Sequence, residues 1–283
     1  MEINHFIPAS LKEALEIISK HDCFILAGGT DLMVQKHKSK GLLPNFDKDV
    51  IYISNLEELN YEFIDENGDY HIGATVKYVQ LENSELCPQM LKDIIHEIAS
   101  PNIRNMATLA GNIGNASPAG DTLVGLYLLD AKIKLSSISG ERILPINEFI
   151  KGVRKIDRRT DELINEIIIP NGYQKLSYYW KKVGSRAAES ISKLSFLGAY
   201  EIKDNKLLDL RLAFGSVSIT VVRNKEIEKD YIGLEVPLSP SIIDSIVSKY
   251  YTIINPITDQ RSNKDYRKKV AINLLTHFLT SIK

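Results

Sequence analysis

The chain has 283 residues, of which 44% are hydrophobic and 25% charged, as is typical of a globular protein of one or two domains. Its 35 basic and 36 acidic residues nearly balance, so we expect neither a nucleic-acid surface nor a polybasic membrane anchor. No apolar run approaches the roughly 18 residues that span a bilayer, and the first residues lack a secretory signal pattern. We therefore predict no nucleic-acid partner and no membrane insertion.

The first elements are a helix and a buried strand. Ser10, with Glu13 three residues later, predicts a capping box at the start of a helix. The apolar run "CFILA" (residues 23–27) predicts a buried strand that leads into the pair Gly28-Gly29. The residues that follow the glycines, "DLMVQK", are compatible with either a helix or a short loop.

Cysteine usage excludes an iron–sulfur cluster within this chain. Cys23 and Cys87 lie far apart and form no CxxC pair, whereas a cluster usually takes four thiolates. Unpaired cysteines fit a reducing compartment, and we predict a cytoplasmic location. We interpret both residues as small buried hydrophobic side chains.

Further along the chain, helices and strands alternate irregularly. Asn67-Gly68 predicts a tight hairpin turn, and the apolar residues of 88–98 have helical spacing. "TLAGNIGNASPAGDT" (residues 108–122) is predicted to be a glycine-rich loop, and the apolar stretch after it a helix. The first half therefore lacks the regular alternation of a doubly wound sheet.

Turn-forming residues in "IPNGYQK" (residues 169–175) indicate a domain boundary, so we predict one domain over 1–170 and a second over 171–283. Longer strands follow, two of them predicted to pair as an antiparallel hairpin around "KDNK". Ser239-Pro240 has the pattern of a helix start, and 263–282 has helical periodicity. The predicted class is α+β, in two parts.

Two glycine segments are candidates for ligand binding. A turn with Gly28-Gly29 can point several backbone N–H groups into one concavity, which binds anions and phosphates especially. The segment matches neither a Walker loop nor the GxGxxG dinucleotide fingerprint. An ordinary strand-to-helix turn is the alternative.

The second segment combines polar side chains with a backbone that a ligand can approach. Thr108, Gly111 and Asn112 lie together, and Ser117 and Asp121 follow. Such a set suits a ligand that has many hydroxyl groups and a heterocycle. The alternative is a glycine-rich loop held by its own hydrogen bonds.

Taken together, these motifs resemble a known family. "ILAGGTDL", "IGA", "IASPNIRNMATLAGNIGNASPAGDT" and "DQRSNKDYRKKV" occur in the order seen in the FAD-binding subunit of molybdenum hydroxylases of the xanthine dehydrogenase and carbon monoxide dehydrogenase type. The resemblance covers essentially the whole chain. It implies a two-subdomain FAD-binding domain (PCMH-type, as in vanillyl-alcohol oxidase-like flavoproteins). A smaller α+β C-terminal domain with an antiparallel sheet and helices would follow.

The resemblance also implies which residues contact FAD. Lys181 matches a lysine near the flavin ring, although the adjacent Lys182 would replace it after a shift of one residue. No catalytic residue and no metal ligand is expected. The implied cofactor-binding residues are Leu26, Ala27, Gly28, Gly29, Thr30, Asp31, Leu32, Ile98, Ala107, Thr108, Gly111, Asn112, Asn115, Asp121, Ile164 and Lys181.

By the same resemblance, FAD is bound noncovalently, and the partners are an iron–sulfur subunit with [2Fe-2S] clusters and a large molybdopterin-binding subunit. Electrons would pass from the clusters to FAD and on to NAD+ or another acceptor. Ser117 favours the purine-hydroxylating, xanthine dehydrogenase-type branch. The alternatives are a carbon monoxide, nicotinate or aldehyde dehydrogenase-type complex, a stand-alone flavin oxidoreductase and a flavin-free structural subunit.

Overall fold

The computed structural model describes residues 3–37, 44–186 and 189–283, and it mixes helix and sheet as predicted. In chain order the α-helices are α1 (Leu11–Lys20), α2 (Leu32–Lys36), α3 (Tyr78–Asn83), α4 (Gln89–His96), α5 (Pro101–Arg104), α6 (Leu109–Asn115), α7 (Asp121–Leu128), α8 (Ile146–Phe149), α9 (Lys225–Lys229), α10 (Pro240–Ile253) and α11 (Lys264–Ser281). The strands are β1 (His5–Phe6), β2 (Cys23–Leu26), β3 (Asp49–Tyr52), β4 (Glu62–Ile64), β5 (Tyr70–Gly73), β6 (Lys132–Ser137), β7 (Gly140–Pro145), β8 (Ile150–Gly152), β9 (Lys155–Ile156), β10 (Leu163–Ile169), β11 (Ser177–Val183), β12 (Leu194–Lys203) and β13 (Lys206–Gly215).

The chain forms two compact units, and it passes between them more than once. The first contains the described residues of Met1–Cys87 together with Ser100–Ala116 and Asp130–Asn171. The second contains Pro88–Ala99, Ser117–Leu129 and the described residues of Gly172–Lys283. The domain boundary between residues 170 and 171 stays a prediction.

The first unit contains two larger sheets. A parallel sheet has the strand order β1-β3-β2, and an antiparallel sheet has the order β4-β5-β10-β6-β7. Every residue of the central strand β10 is buried, as expected for a strand that is covered on both faces. The parallel sheet matters for the site because β2 ends at Leu26, directly before the first glycine segment.

The helix α1 confirms the predicted cap, with one difference. The Ser10 hydroxyl accepts a hydrogen bond from the N–H of Glu13 at 3.2 Å, as predicted. The Glu13 carboxylate, however, accepts from the N–H of Ala9 at 2.7 Å rather than from that of Ser10. The return bond of the capping box is thus displaced by one residue.

Residues 108–122 are mostly helical, so the predicted loop is wrong. The Thr108 hydroxyl caps α6 by accepting a hydrogen bond from the N–H of Gly111 at 3.0 Å. Ala116 ends this helix in the left-handed region with a φ of 44°, and α7 begins at Asp121. The glycines lower helix propensity, but the cap and the buried side chains of Leu109 and Ile113 compensate for them.

The second unit is built on the antiparallel sheet β11-β12-β13. The predicted hairpin joins β12 to β13, and its turn residues Asp204 and Asn205 both have positive φ, at 52° and 58°. Such a turn matches the right-handed twist of the strands.

Helices cover both faces of this sheet. A Cβ at Gly198 would meet the Phe278 ring of α11, whereas a Cβ at Gly215 would meet Val124 of α7. Gly215 pairs with Ser195, an odd-numbered residue of β12, while Gly198 is even-numbered. Because successive strand residues point to opposite faces, α7 and α11 pack on opposite sides. Among the described residues, no helix is both long and apolar enough to cross a membrane.

Candidate FAD-binding site

The first glycine segment is a turn that directly follows β2. Gly29 has a φ of 70°, in the left-handed region that favours glycine. Within the described parts of the chain, no residue accepts a hydrogen bond from the N–H of Gly28, Gly29 or Thr30. All three residues are partly exposed. Unbonded N–H groups in such a turn fit an anionic ligand.

Because Gly28 has no side chain, the backbone of Met106 and Ala107 can pack directly against it. A Cβ at this position would lie 2.0 Å from the carbonyl oxygen of Met106 and 2.9 Å from the Cα of Ala107. Met106 and Ala107 directly precede the cap residue Thr108 of α6. Gly28 therefore lets the two glycine segments of the sequence touch.

Side chains also join the two segments. The Asn115 amide donates to the Asp31 carboxylate at 3.1 Å and accepts from the Gln35 amide at 2.8 Å. The Gln35 oxygen in turn accepts from the Arg154 guanidinium at 3.1 Å. Sequence reasoning identified Asp31 and Asn115 but missed Gln35 and Arg154, because nothing in their local pattern marks them.

One face of α6 carries no side chain beyond hydrogen. Gly111 and Gly114 are exposed, whereas Asn112 and Asn115 are half-buried beside them. A Cβ at Gly114 would lie 3.7 Å from Cδ1 of Ile164, which places that predicted flavin neighbour next to this face. A planar or extended ligand can therefore approach the α6 backbone closely.

The first unit thus brings most of the predicted residues together. Packing or hydrogen bonds connect the β2 end, the turn after it and the α6 segment. The predicted residues in this unit are Leu26, Ala27, Gly28, Gly29, Thr30, Asp31, Leu32, Ala107, Thr108, Gly111, Asn112, Asn115 and Ile164.

The second unit holds the predicted residues Ile98, Asp121 and Lys181. Asp121 is the first residue of α7, and its carboxylate is buried. One oxygen accepts from the Ser192 hydroxyl at 2.6 Å, and the other pairs with the ammonium group of Lys182 at 3.0 Å. The same ammonium group donates to the carbonyl oxygen of Glu97 at 2.7 Å.

Lys181 lies on the other face of β11. The side chain of Lys182 is only 8% exposed beside Asp121, whereas Lys181 is exposed. Tyr179, two residues before Lys181, packs against the core that contains Phe278. Alternate residues of a strand share a face, so Lys181 lies on the face of Tyr179 and Lys182 on the opposite one. The lysine that pairs with Asp121 is therefore Lys182.

A cleft of about 360 Å³ lies close to these residues, in the same unit. The Tyr178 hydroxyl donates to the Asp93 carboxylate at 2.7 Å across it. The buried Nε1 of Trp180 has no hydrogen-bond partner in the parts of the chain that are described. Because this atom is buried, it is not available to a ligand in the cleft. Its lining residues are Asp93, His96, Glu97, Tyr178 and Trp180.

Ser117, the proposed marker of substrate class, makes local hydrogen bonds. Its hydroxyl accepts from the N–H of Ala119 at 3.3 Å, and its carbonyl oxygen accepts from the N–H of Gly120 at 2.9 Å. These bonds form the turn before α7 and do not by themselves indicate a substrate.

Two family matches cover most of the chain. Residues 1–172 match the family described as the FAD binding domain in molybdopterin dehydrogenase. The chain belongs to this FAD-binding family. Residues 179–282 match the CO dehydrogenase flavoprotein C-terminal domain. The resemblance seen in the sequence and the predicted FAD cofactor are thereby confirmed, and the unbonded N–H groups of residues 28–30 and the side-chain-free face of α6 fit such a cofactor.

Individual members of the molybdopterin dehydrogenase flavoprotein family agree with this assignment. The chain is 34% identical to the glyceraldehyde dehydrogenase medium chain of Sulfolobus acidocaldarius, over 97% of this chain and 96% of that one. It is 27% identical to the xanthine dehydrogenase FAD-binding subunit of Escherichia coli O157:H7, over 92% and 88%. The fold is similar to that of a chain of reconstituted CO dehydrogenase from Oligotropha carboxidovorans, with a TM-score of 0.87, 22% identity and 98% and 96% coverage. The predicted fold class is confirmed.

Proposed function

We propose that this chain is the FAD-binding electron-transfer subunit of a heteromeric molybdenum hydroxylase. Its partners would be an iron–sulfur subunit with [2Fe-2S] clusters and a large subunit that binds molybdopterin. The proposal depends mainly on one contact within the first unit. The turn of residues 28–30, whose N–H groups are unbonded, packs against the segment that leads into α6, and this helix has a face without side chains. A cytoplasmic location belongs to the same proposal, and the two free cysteines support it.

In this proposal each group of residues has its own task. The N–H groups of residues 28–30 bind the pyrophosphate, and Gly111 and Gly114 admit the cofactor to the α6 backbone. The Thr108 hydroxyl accepts the capping hydrogen bond from the N–H of Gly111, so its contribution is to hold α6 in place. When bound, FAD supplies the redox chemistry that takes electrons from the clusters and passes them to NAD+ or another acceptor.

The predicted contacts in the second unit rest on the family resemblance. Of the two neighbouring lysines, Lys182 is the better candidate, because its ammonium group is buried with the Asp121 carboxylate. Two of its three N–H groups are used by Asp121 and Glu97, which leaves one for a ligand. Ile98 and Lys181 remain predicted contacts.

Reconstitution tests the cofactor assignment. We expect the purified full chain to take up FAD in a saturable titration and to release it unmodified when denatured in acid, as noncovalent binding requires. Failure to bind FAD contradicts the proposal. Activity of the chain alone would instead support a stand-alone oxidoreductase, whereas flavin reduction only in the presence of the two partner subunits supports the heteromeric enzyme.

For the substrate of the complex we propose a purine, as in xanthine dehydrogenase-type enzymes, on the basis of the segment Ser117–Asp121. A small aldehyde is the second candidate, and the 34% identical medium chain of a glyceraldehyde dehydrogenase favours it. Assays of the assembled complex with xanthine, hypoxanthine, nicotinate and glyceraldehyde, each with NAD+ as acceptor, distinguish the candidates. Turnover of glyceraldehyde without purine turnover removes the first one.

A further inference from the structure

Ser192 holds the Asp121 carboxylate, although no motif marks this serine. Its hydroxyl lies 2.6 Å from Oδ1 of Asp121, and the residue is 1% exposed. A carboxylate can only accept hydrogen bonds, so the serine donates. A buried hydrogen bond to a charged oxygen at this distance is among the stronger kinds.

Ser192 is itself fixed in place. Its carbonyl oxygen accepts from the hydroxyl of Ser216 at 3.4 Å. The N–H of Ser216 donates to the carbonyl oxygen of Pro118 at 2.9 Å, only three residues before Asp121. Ser192 therefore connects the start of β12, the end of β13 and the start of α7 around one carboxylate.

The two oxygens of Asp121 have different partners, and this defines the plane of the carboxylate. Oδ1 is held by Ser192 and Oδ2 by Lys182. Removal of the serine hydroxyl would free the carboxylate to rotate about its terminal torsion, which is intrinsically soft. The ammonium group of Lys182 alone cannot prevent this rotation, because it acts as a point charge.

We propose that Ser192 is a positioning residue for FAD binding, which acts by orienting the Asp121 carboxylate toward the cofactor. This inference rests on the proposed function, in which Asp121 contacts FAD. Ser192 itself makes no contact with the cofactor in this proposal.

A double-mutant cycle tests the inference in the full chain. FAD dissociation constants are measured by fluorescence titration for the wild type, Ser192→Ala, Asp121→Ala and the double variant. We expect Ser192→Ala to weaken FAD binding about tenfold, in line with a hydrogen bond to a charged group. The double variant should bind no more weakly than Asp121→Ala alone, because the serine acts through the aspartate.

Two further variants separate positioning from packing. Ser192→Thr retains the hydroxyl and should bind FAD within about threefold of the wild type, whereas Ser192→Cys replaces the hydroxyl by a weak donor and should resemble Ser192→Ala. The matched control is Ser136→Ala, which removes another buried serine that donates to a carboxylate, that of Glu141 at 2.9 Å. It should leave FAD affinity unchanged. If Ser192→Ala does not fold, Ser192→Cys replaces it in the cycle.

The results distinguish the inference from the function on which it rests. If Ser192→Ala binds FAD with wild-type affinity, the positioning role is overturned. It is also overturned if Ser192→Ala weakens FAD binding by the same factor in the wild type and in Asp121→Ala. Neither result affects the proposed function. Equal weakening by the Ala and Thr substitutions assigns the effect to packing and also overturns the positioning role. If Asp121→Ala binds FAD like the wild type, the assignment of Asp121 as a contact fails first.

Discussion

Gly28 and Met106 pack backbone against backbone, so closely that a Cβ on residue 28 would lie 2.0 Å from the Met106 carbonyl oxygen. The neighbouring atom belongs to the main chain and cannot rotate away. The turn that contains Gly28 and the segment that caps α6 therefore hold each other in position, and the glycine is required for this packing before any ligand binds.

We expect Gly28→Ala to lower the free energy of unfolding by about 1–3 kcal/mol, the range for overpacked sites, and to weaken FAD binding as well. Gly152→Ala is the matched control, because a Cβ at Gly152 meets nothing within 4 Å. Urea unfolding of both variants measures the effect. Equal stability of the two variants would contradict the close contact.

Gly114→Ala should separate stability from binding. A Cβ at this helical position makes only an ordinary contact, at 3.7 Å from Ile164, and alanine favours a helix over glycine by roughly 0.8 kcal/mol. We expect a slightly more stable chain that binds FAD at least about tenfold more weakly, because the methyl group occupies the exposed face of α6. Unchanged affinity in a flavin titration would show that the cofactor does not approach this face.

The two neighbouring lysines should differ sharply. Lys182→Met leaves the buried Asp121 carboxylate without its counter-ion, which costs roughly 3 kcal/mol, and we expect weaker FAD binding. Lys181→Met alters an exposed strand residue and should change stability by less than about 0.5 kcal/mol. Thermal unfolding and FAD titration of both variants provide the comparison. A larger effect from Lys181→Met would restore that residue as the site lysine.

The thiol of Cys23 should be unreactive in the native chain. Burial, followed by the nearby carboxylates of Asp49 and Asp22, raises the pKa of Cys23 from 9.0 to about 11. At pH 8 the native thiolate fraction is then about a hundredfold below that of the unfolded chain, and only the thiolate reacts. Alkylation by iodoacetamide with peptide mapping should label Cys23 rapidly in urea and slowly without it. Equal rates would contradict the shift.

The same shift predicts a loss of stability in alkaline solution. Because the folded pKa of Cys23 is raised, its contribution is complete below pH 9 and is lost as pH rises toward 11. The difference in unfolding free energy between the wild type and Cys23→Ala should therefore shrink over this range.

The sequence was sufficient to find the two glycine segments, because turn chemistry and glycine content are local properties. It could not assign the role of Gly28, since the Met106 backbone that fills the space comes from a distant part of the chain. The roles of Gln35 and Arg154 could not be predicted for the same reason, because their hydrogen bonds join residues that are far apart in the sequence.

Elements with competing signals were harder to predict. The glycines of residues 108–122 indicate a loop, whereas in the structure the cap at Thr108 and the buried Leu109 and Ile113 stabilise the helix α6. The choice between Lys181 and Lys182 depends on the phase of β11, which a run of aromatic and basic residues does not define. The Asp204-Asn205 hairpin, by contrast, was predicted correctly, because the turn chemistry is strong.

The helix α7 is buried along all eight of its residues, and Asp121 is the first of them. It contacts β12, β13 and α4, and a change of side-chain volume in such a closely packed interior affects the neighbouring elements. Thermal stability and the geometry around the carboxylate are thus set by the same packing. In the proposed function, where Asp121 contacts FAD, substitutions that refill the interior of the second unit to raise heat resistance would also change cofactor affinity, whereas substitutions on the solvent side of α11 would not.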